Sequence, residues 1–257
     1  MTYQNVIDLV KSTKEIVFSE EKLSEIFAKG YADFVTGVDL AVQTYIESKL
    51  SEMYPDVQFM GEEGEKSKLD FSGKIWILDP IDGTSNLIHR LNMSAVSLAL
   101  VDNNKPVFGV VYNPFTDELF TAEKGKGAYY NGKPIHVSDK KTMKESFVSV
   151  GTSPYDEDLR EKSLVIIANL LRNCTDIRRM GAASLDLAYI AMGKFDCFYE
   201  EILRPWDYAA GAILIEEAGG KITDLGGDKL SFEKSRGILA SNGHTHDELV
   251  KLCKTKR

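Results

Sequence analysis

Lys74-Ile75-Trp76-Ile77-Leu78-Asp79-Pro80-Ile81-Asp82-Gly83-Thr84-Ser85-Asn86-Leu87 changes character halfway along. Its first five residues, KIWIL, form a compact β-prone run. Pro80 biases Asp79 away from the helical region, so Asp79 is expected at the end of that strand, with Pro80 closing it. Asp82-Gly83-Thr84-Ser85 then reads as the opening of a helix, with Asp82 near the cap. Two carboxylates are thereby brought to one strand-to-helix turn. The N–H groups of Gly83 and Thr84 would point outward from the helix start, which is a ready anion site. Hard divalent cations take oxygen ligands, and magnesium commonly combines a few carboxylates with waters and substrate phosphate. Cations beside a helix start could therefore grip one phosphate from two sides. A bare pair of aspartates at this spacing is ordinarily a capped surface turn; the eight-residue string from Asp79 to Asn86 is much more specific.

Outward from this stretch, the N-terminal side reads as helix. Val6, Leu9, Val10, Ile16 and Val17 fall at mostly helical spacing. A second helix is expected after Asp39, with Val42, Tyr45, Ile46, Leu50 and Met53 on one stripe and Pro55 as its stop. Val57 to Met60 reads as a short strand broken by Gly61. On the C-terminal side, Ala95 to Val101 and Pro106 to Tyr112 flank Asp102-Asn103-Asn104 as a hairpin. Leu119 to Ala122 and Ala128 to Val137 continue the β character, and Asn131-Gly132 is a strong turn dipeptide. After about Thr142 strands and helices alternate. Strand-like runs at Ser146–Val150, Asp176–Arg179, Phe195–Tyr199 and Ile238–Ala240 each precede a helix, over roughly 156–172, 183–192, 205–218 and the C-terminus. That alternation predicts a layered α/β unit. The expected division is 1–142, an α+β half, and 143–257, an α/β half. No flexible linker separates them, so close packing as one body is expected.

Composition narrows the class. The 257 residues suffice for a substantial core, and 43% hydrophobic with 27% charged residues is ordinary for a globular chain, which excludes disorder. A net charge of -8 makes nucleic acid an unlikely partner. Cys174, Cys197 and Cys253 contain no CxxC pair, and an odd count fits a reducing compartment better than a disulfide framework. MTYQNVIDLVKSTKE carries charge where a signal peptide needs an apolar run, and no window reaches the roughly 18 apolar residues of a membrane span. A cytoplasmic location without membrane association is expected.

Three further acidic signals accompany Asp79 and Asp82: Glu62 and Glu63 after Gly61, Asp207 after Trp206, and Asp39 at the end of DFVTGVD. Singly each has a bland explanation, namely a solvated loop, a helix cap beside a core tryptophan, and another cap. His244 and His246 form an HxH without a third ligand, and His89 and His136 are isolated, so zinc is not indicated. Gly125-Lys126-Gly127 lies among strands and lacks the ending of a phosphate loop. No GxSxG elbow is present.

Together and in this order, the four signals resemble the inositol monophosphatase family, within the magnesium-dependent, lithium-sensitive carbohydrate phosphatases. The likeness extends over DFVTGVD, GEE, WILDPIDGTSNL, GKGAYYNGKPIHVS, RRMGAASLDLAYIAMGKFDCFYE and RPWDYAAGAILIEEAGG. It implies a layered αβαβα sandwich of the inositol monophosphatase and fructose bisphosphatase type, with the site between the two halves. It also implies two to three Mg2+ ions. Glu62, Asp79 and the Ile81 carbonyl match ligands of a first ion; Asp79, Asp82 and Asp207 match those of a second; a third would lean on Glu62 and waters. Gly83 and Thr84 would donate N–H groups to the phosphate. Asp39, Glu62 and Thr84 would carry catalysis, with Thr84, backed by Asp39, orienting and deprotonating the attacking water. Gly181, Ala182, Ala183 and Glu200 match polyol contacts, with Ser153 nearby. Ser85 stands where many members carry Thr, and Lys29 matches the family's loop lysine only with a one-residue gap.

The implied reaction is in-line attack of metal-activated water on phosphorus without a phosphoenzyme, with a water at Asp207 protonating the leaving alkoxide. Inositol 1-phosphate is the favoured substrate, because Glu200 and the short chain suit a small polyol phosphate. Fructose 1,6-bisphosphate and nucleotide 3'-phosphates or NADP are the alternatives. A homodimer is implied. Some relatives bind the transcription machinery instead, and Lys251, Lys254, Lys256 and Arg257 could form a contact tail.

Overall fold

Side chains alternate across the strand that begins at Lys74. Ile75 and Ile77 enter one core, while Trp76 and Leu78 enter another. A strand apolar on both faces must be covered on both, and that requirement sets the layering. The computed structural model describes residues 2–31, 33–64 and 68–254.

The chain starts with helices α1 (Gln4–Ser12), α2 (Lys14–Val17) and α3 (Glu20–Ser24). The first helix expected from sequence is thus two, broken at Thr13. The Thr13 hydroxyl bonds back to the Val10 carbonyl at 2.7 Å, a local bond that competes with helix continuation. Strands β1 (Ile26–Gly30) and β2 (Asp33–Thr36) pair antiparallel as a small ribbon. Sequence reading missed it because all five β1 residues are exposed and carry no alternating pattern. Helix α4 (Gly37–Met53) follows, starting two residues before Asp39 rather than after it.

Strands β3 (Gln58–Gly61) and β4 (Lys74–Asp82) pair in parallel. After the short helix α5 (Thr84–Ile88), strands β5 (Ala95–Asp102), β6 (Lys105–Asn113), β7 (Glu118–Glu123), β8 (Ala128–Tyr130) and β9 (Lys133–Ile135) continue as an antiparallel meander. The resulting seven-stranded sheet has the order of the sequence, β3 to β9. Pro80 does not end β4 as expected. The strand continues to Asp82 through a register shift between Asp79 and Asp82, and at such a bulge a missing N–H costs no ladder bond.

The second half supplies β10 (Phe147–Val150), α6 (Glu157–Asn173), β11 (Asp176–Arg178), α7 (Ala183–Ala191), β12 (Cys197–Leu203), α8 (Pro205–Glu217), β13 (Lys221–Asp224), β14 (Arg236–Ser241) and α9 (His246–Cys253). Its five strands order as β11-β10-β12-β14-β13, parallel through the first three and antiparallel at β14 and β13. The alternation read from sequence is reproduced, apart from the unforeseen β13.

Three cores stack these elements. Helices α1 and α4 cover the outer face of the large sheet with Val6, Val10, Val42, Ile46 and Leu50. Helices α7 and α8 fill the space between the sheets with Leu185, Leu187, Ile190, Ile213 and Leu214. Helices α6 and α9 cover the far face of the small sheet with Ile166, Leu170 and Leu249. This is the expected αβαβα sandwich. Among the described residues, no helix is long and apolar enough to cross a membrane.

Close approach in the middle layer depends on glycine. A Cβ on Gly109 of β6 would lie 2.5 Å from Ile213 Cγ2 and 2.9 Å from the Ala210 carbonyl, both on α8. A Cβ on Gly211 of α8 would lie 2.5 Å from Leu187 on α7. Helix α8 is therefore held between sheet and helix with no room for a methyl group. Gly109→Ala is expected to cost about 1–3 kcal/mol of stability through overpacking, measured by urea unfolding; an unchanged midpoint would contradict this packing.

Candidate active site

The bulge at the end of β4 turns its last residues toward the seam between the halves. Asp79 Oδ1 accepts the Ile81 N–H at 3.0 Å, an Asx-type turn that makes the bend local. Ile81 buries its side chain in the outer core and keeps its carbonyl 3.1 Å from the Thr84 hydroxyl. Gly83 follows at φ +87, and it, rather than Asp82, is the cap of α5. With no side chain, Gly83 leaves that helix start uncapped by its own residue. Asp82 turns instead to the second half of the chain, where its Oδ2 accepts the Ser184 N–H at 2.6 Å and the Ser184 hydroxyl at 2.5 Å.

Asp39 and Asp207 each occupy the third position of a helix. Asp39 Oδ2 accepts the Thr36 N–H at 2.9 Å and the Thr36 hydroxyl at 2.5 Å, while Oδ1 accepts the Thr84 hydroxyl at 3.1 Å. One oxygen thus closes the start of α4 and the other reaches the β4 turn. The Thr84 hydroxyl has one proton and two acceptors in range, Asp39 and the Ile81 carbonyl. Asp207 Oδ2 accepts the Arg204 N–H at 2.7 Å at the start of α8. Both residues do close helix starts, and in addition Asp39 bonds Thr84 and Asp207 lines the cleft.

Glu62 comes from the loop after β3. Gln43, on α4, holds this loop with both ends of its amide: Nε2 donates to the Glu63 carbonyl at 2.6 Å, and Oε1 accepts the Glu63 N–H at 2.9 Å. Lys29 projects from β1, its ammonium 3.0 Å from Glu62 Oε1 and bonded also to Glu63. The lysine that matched only with a gap therefore lies beside Glu62, because the ribbon rather than an irregular loop carries it.

The second half closes the other side. Asn86 Nδ2 donates to the carbonyls of Met93 at 2.7 Å and Met180 at 2.9 Å, tying Gly181 to the β4 turn. A Cβ on Gly83 would lie 3.1 Å from Ala182 Cβ and 3.2 Å from the Gly181 carbonyl. Gly181, itself at φ +83, Ala182 and Ala183 thus lead into α7 directly beside Gly83. Glu200, on β12, lays its carboxylate against Gly151, where any side chain would collide with it. Ser153 is buried at φ +42 with its hydroxyl unpaired. A cleft of about 630 Å³ is lined by Lys29, Asp33, Glu62, Tyr155, Arg204 and Asp207 among others, a volume typical of small-molecule sites.

Electrostatics identify what this arrangement suits. Burial pushes the Asp79 carboxyl well above the ordinary range, and Glu62, Asp82, Asp207 and Asp39 push it further. Asp207 is raised well above its usual value by burial and then by Asp82 and Glu62. Burial raises Asp82 against the bonds from Ser184, and raises Asp39 against those from Thr36 and Thr84. Burial brings Glu62 to about 7 despite Lys29, and Glu200 to about 8 despite Arg179. So many carboxylates sharing one partly buried seam call for cations. All donors are oxygens, which suits a hard divalent ion. Among the described residues, no three acidic, histidine or cysteine side chains surround one point closely enough to form a ready cage. Magnesium needs none, because it usually keeps waters and shares one or two carboxylates with substrate phosphate.

Sequence reading overlooked several participants. Gln43 lies four residues after Asp39 on the same helix face, a spacing that could have marked it. Ser184 makes its contact across the two halves, so no local pattern announces it, and Asn86, though inside the acidic string, gave no sign of its bond to Met180. Asp186 on α7 is buried with Oδ1 unpaired, its carboxyl raised by burial and then by Asp82 and Glu200. In the C-terminal segment, Lys254 donates to the Gly226 carbonyl at 2.8 Å, while Lys256 and Arg257 lie outside the described residues.

Residues 2–256 match the profile of the Inositol monophosphatase family. An inositol-1-monophosphatase of Rhizobium meliloti (strain 1021) is 40% identical over 227 residues, covering 88% of this chain and 85% of its own. A fructose-1,6-bisphosphatase/inositol-1-monophosphatase of Thermotoga maritima is 39% identical over 223 residues, covering 87% and 83%. The crystal structure of extragenic suppressor protein suhB from Bartonella henselae superposes with a TM-score of 0.92 at 34% identity, covering all of both chains.

The raised carboxyls make stability depend on pH in a definite direction. A carboxyl with an elevated folded-state pKa keeps a proton that the unfolded chain has already released, so folded stability falls as pH rises between the two values. For Glu62 and Glu200 that window runs from 4.5 to about 7 and about 8. In chelator the melting temperature is expected to fall from pH 5 to pH 8, and a divalent ion should raise it more at pH 8 than at pH 6. A flat profile in thermal unfolding would contradict this reading.

Proposed function

The chain belongs to the inositol monophosphatase family, and on that premise we propose that it hydrolyses inositol 1-phosphate to inositol and phosphate with magnesium. Family membership makes it a phosphatase acting on a small phosphorylated substrate; substrate and ion are the proposal. One observation carries it: four carboxylates from three separate segments converge on the β4 bulge, beside a threonine hydroxyl bonded to a fifth.

In this reading Glu62, Asp79, Asp82, Asp207 and the Ile81 carbonyl hold two to three ions. Magnesium, when bound, would supply an acidified water and positive charge for the phosphoryl oxygens. The chain's own groups do the rest. Thr84, donating to Asp39, keeps lone pairs free to accept from the attacking water, and Asp39 receives the proton passed through that hydroxyl. Burial favours the protonated form of Asp39, so it is suited to take one. The N–H groups of Gly83 and Thr84 hold phosphate oxygens as charge develops. Gly181, Ala182 and Ala183 leave space for a ring, and the Glu200 carboxylate, placed by Gly151, can accept hydrogen bonds from its hydroxyls. Asp207 positions the water that protonates the leaving alkoxide. The relative from Thermotoga maritima bears both names, which makes fructose 1,6-bisphosphate the second reading.

Phosphate release is expected from inositol 1-phosphate with magnesium and not with chelator. The same panel should hold fructose 1,6-bisphosphate, phosphoadenosine phosphate and NADP; faster release from one of these would replace the substrate, and no release from a folded, ion-loaded sample would refute the reading. Asp82→Asn and Asp207→Asn should each lower turnover more than about 100-fold, since loss of even an outer partner of a metal ligand costs about 10–100-fold. Circular dichroism should remain that of the wild type.

A further inference from the structure

Ser184 is fully buried, and both its donors converge on Asp82 Oδ2, the N–H at 2.6 Å and the hydroxyl at 2.5 Å. Helix α7 has Ala182 as its cap residue and no side-chain cap of its own, so its first N–H groups need an outside acceptor. Asp82, 102 residues earlier in the chain, supplies it. We propose that Ser184 is a positioning residue that fixes the Asp82 carboxylate at the start of α7 and thereby sets the affinity for the divalent ion that Asp82 holds.

The inference rests on reading Asp82 as an ion ligand, and it adds what holds that ligand in place. A carboxylate held through one oxygen by two donors loses rotation about its terminal torsion, so the oxygens present a fixed edge before an ion arrives. Removing the hydroxyl leaves only backbone donors, the N–H groups of Ser184 and Ala183, and the carboxylate regains freedom that ion binding must then remove. Ser184 also adjoins Ala183, so the element expected to touch substrate is the element that orients this ligand.

Calorimetric titration of the full chain with Mn2+ tests the idea without turnover. Ser184→Ala should weaken binding about 10-fold, the lower end of outer-partner effects, and should raise the magnesium concentration for half-maximal activity similarly, with kcat at saturating magnesium changed less than about 3-fold. On an Asp82→Asn background the same substitution should change Mn2+ affinity less than about 2-fold, because a positioning residue has nothing left to position. Should Ser184→Ala fail to fold, Ser184→Cys, a weaker donor of similar shape, takes its place and should weaken binding several-fold. Equal affinities for wild type and variant would overturn the proposal. So would an equal loss on both backgrounds, which marks a purely structural role. A wild type that takes up no Mn2+ overturns the proposal together with the ligand role of Asp82, whereas ion uptake without phosphate release counts against the substrate reading alone.

Discussion

Like charges crowded at one seam, two of them buried, are the constraint on which this molecule depends. Asp79, Asp82, Asp207 and Glu62 sit at one seam, where Glu62, Asp82 and Asp207 each raise the proton affinity of Asp79, and Asp82 and Glu62 raise that of Asp207. Repulsion of this kind persists only where the surrounding fold determines each position independently. Here that determination comes from the middle layer. Helices α7 and α8 lie between the sheets, α8 pressed against Gly109 on one side and packed against α7 through its own Gly211 on the other. The starts of α7 and α8 are closed by Asp82 and Asp207, so their N–H groups offset part of the charge gathered there.

Economy follows from the same arrangement. Asp39 and Asp207 each close the start of the helix on which they lie, and Asp82 closes a helix in the other half. Each is thereby oriented by bonds that would form in a purely structural setting. A ligand held by its capping bond needs little rearrangement to bind, which is what preorganisation requires. The capping explanation and the functional one are therefore not rivals at these residues.

Lys29 has a distinct part. Burial opposes its charge, yet Glu62 and Glu63 hold the ammonium well above its usual range. It comes from the exposed strand of a two-stranded ribbon rather than from the sandwich. It is thus a cation beside Glu62 that the ribbon, not the sandwich core, carries.

Much of this was legible in the sequence. The β-prone run KIWIL, turn residues such as Asn131-Gly132 and the strand–helix rhythm after residue 142 each follow from short-range sterics and the spacing of apolar side chains, so they specify the layered class. The acidic string from Asp79 to Asn86, with GEE, DFVTGVD and RPWD, identified the residues of the candidate site by type and order. What only the tertiary structure decided was which groups meet. The continuation of β4 past Pro80, the ribbon that carries Lys29, the amide of Gln43 on the Glu63 backbone and the bonds from Ser184 to Asp82 all depend on segments brought together by packing. Local propensity carries no information about a partner 102 residues away. Burial of the intervening layers supplies it, because the sheets can cover their apolar faces only with the starts of α7 and α8 at the end of β4.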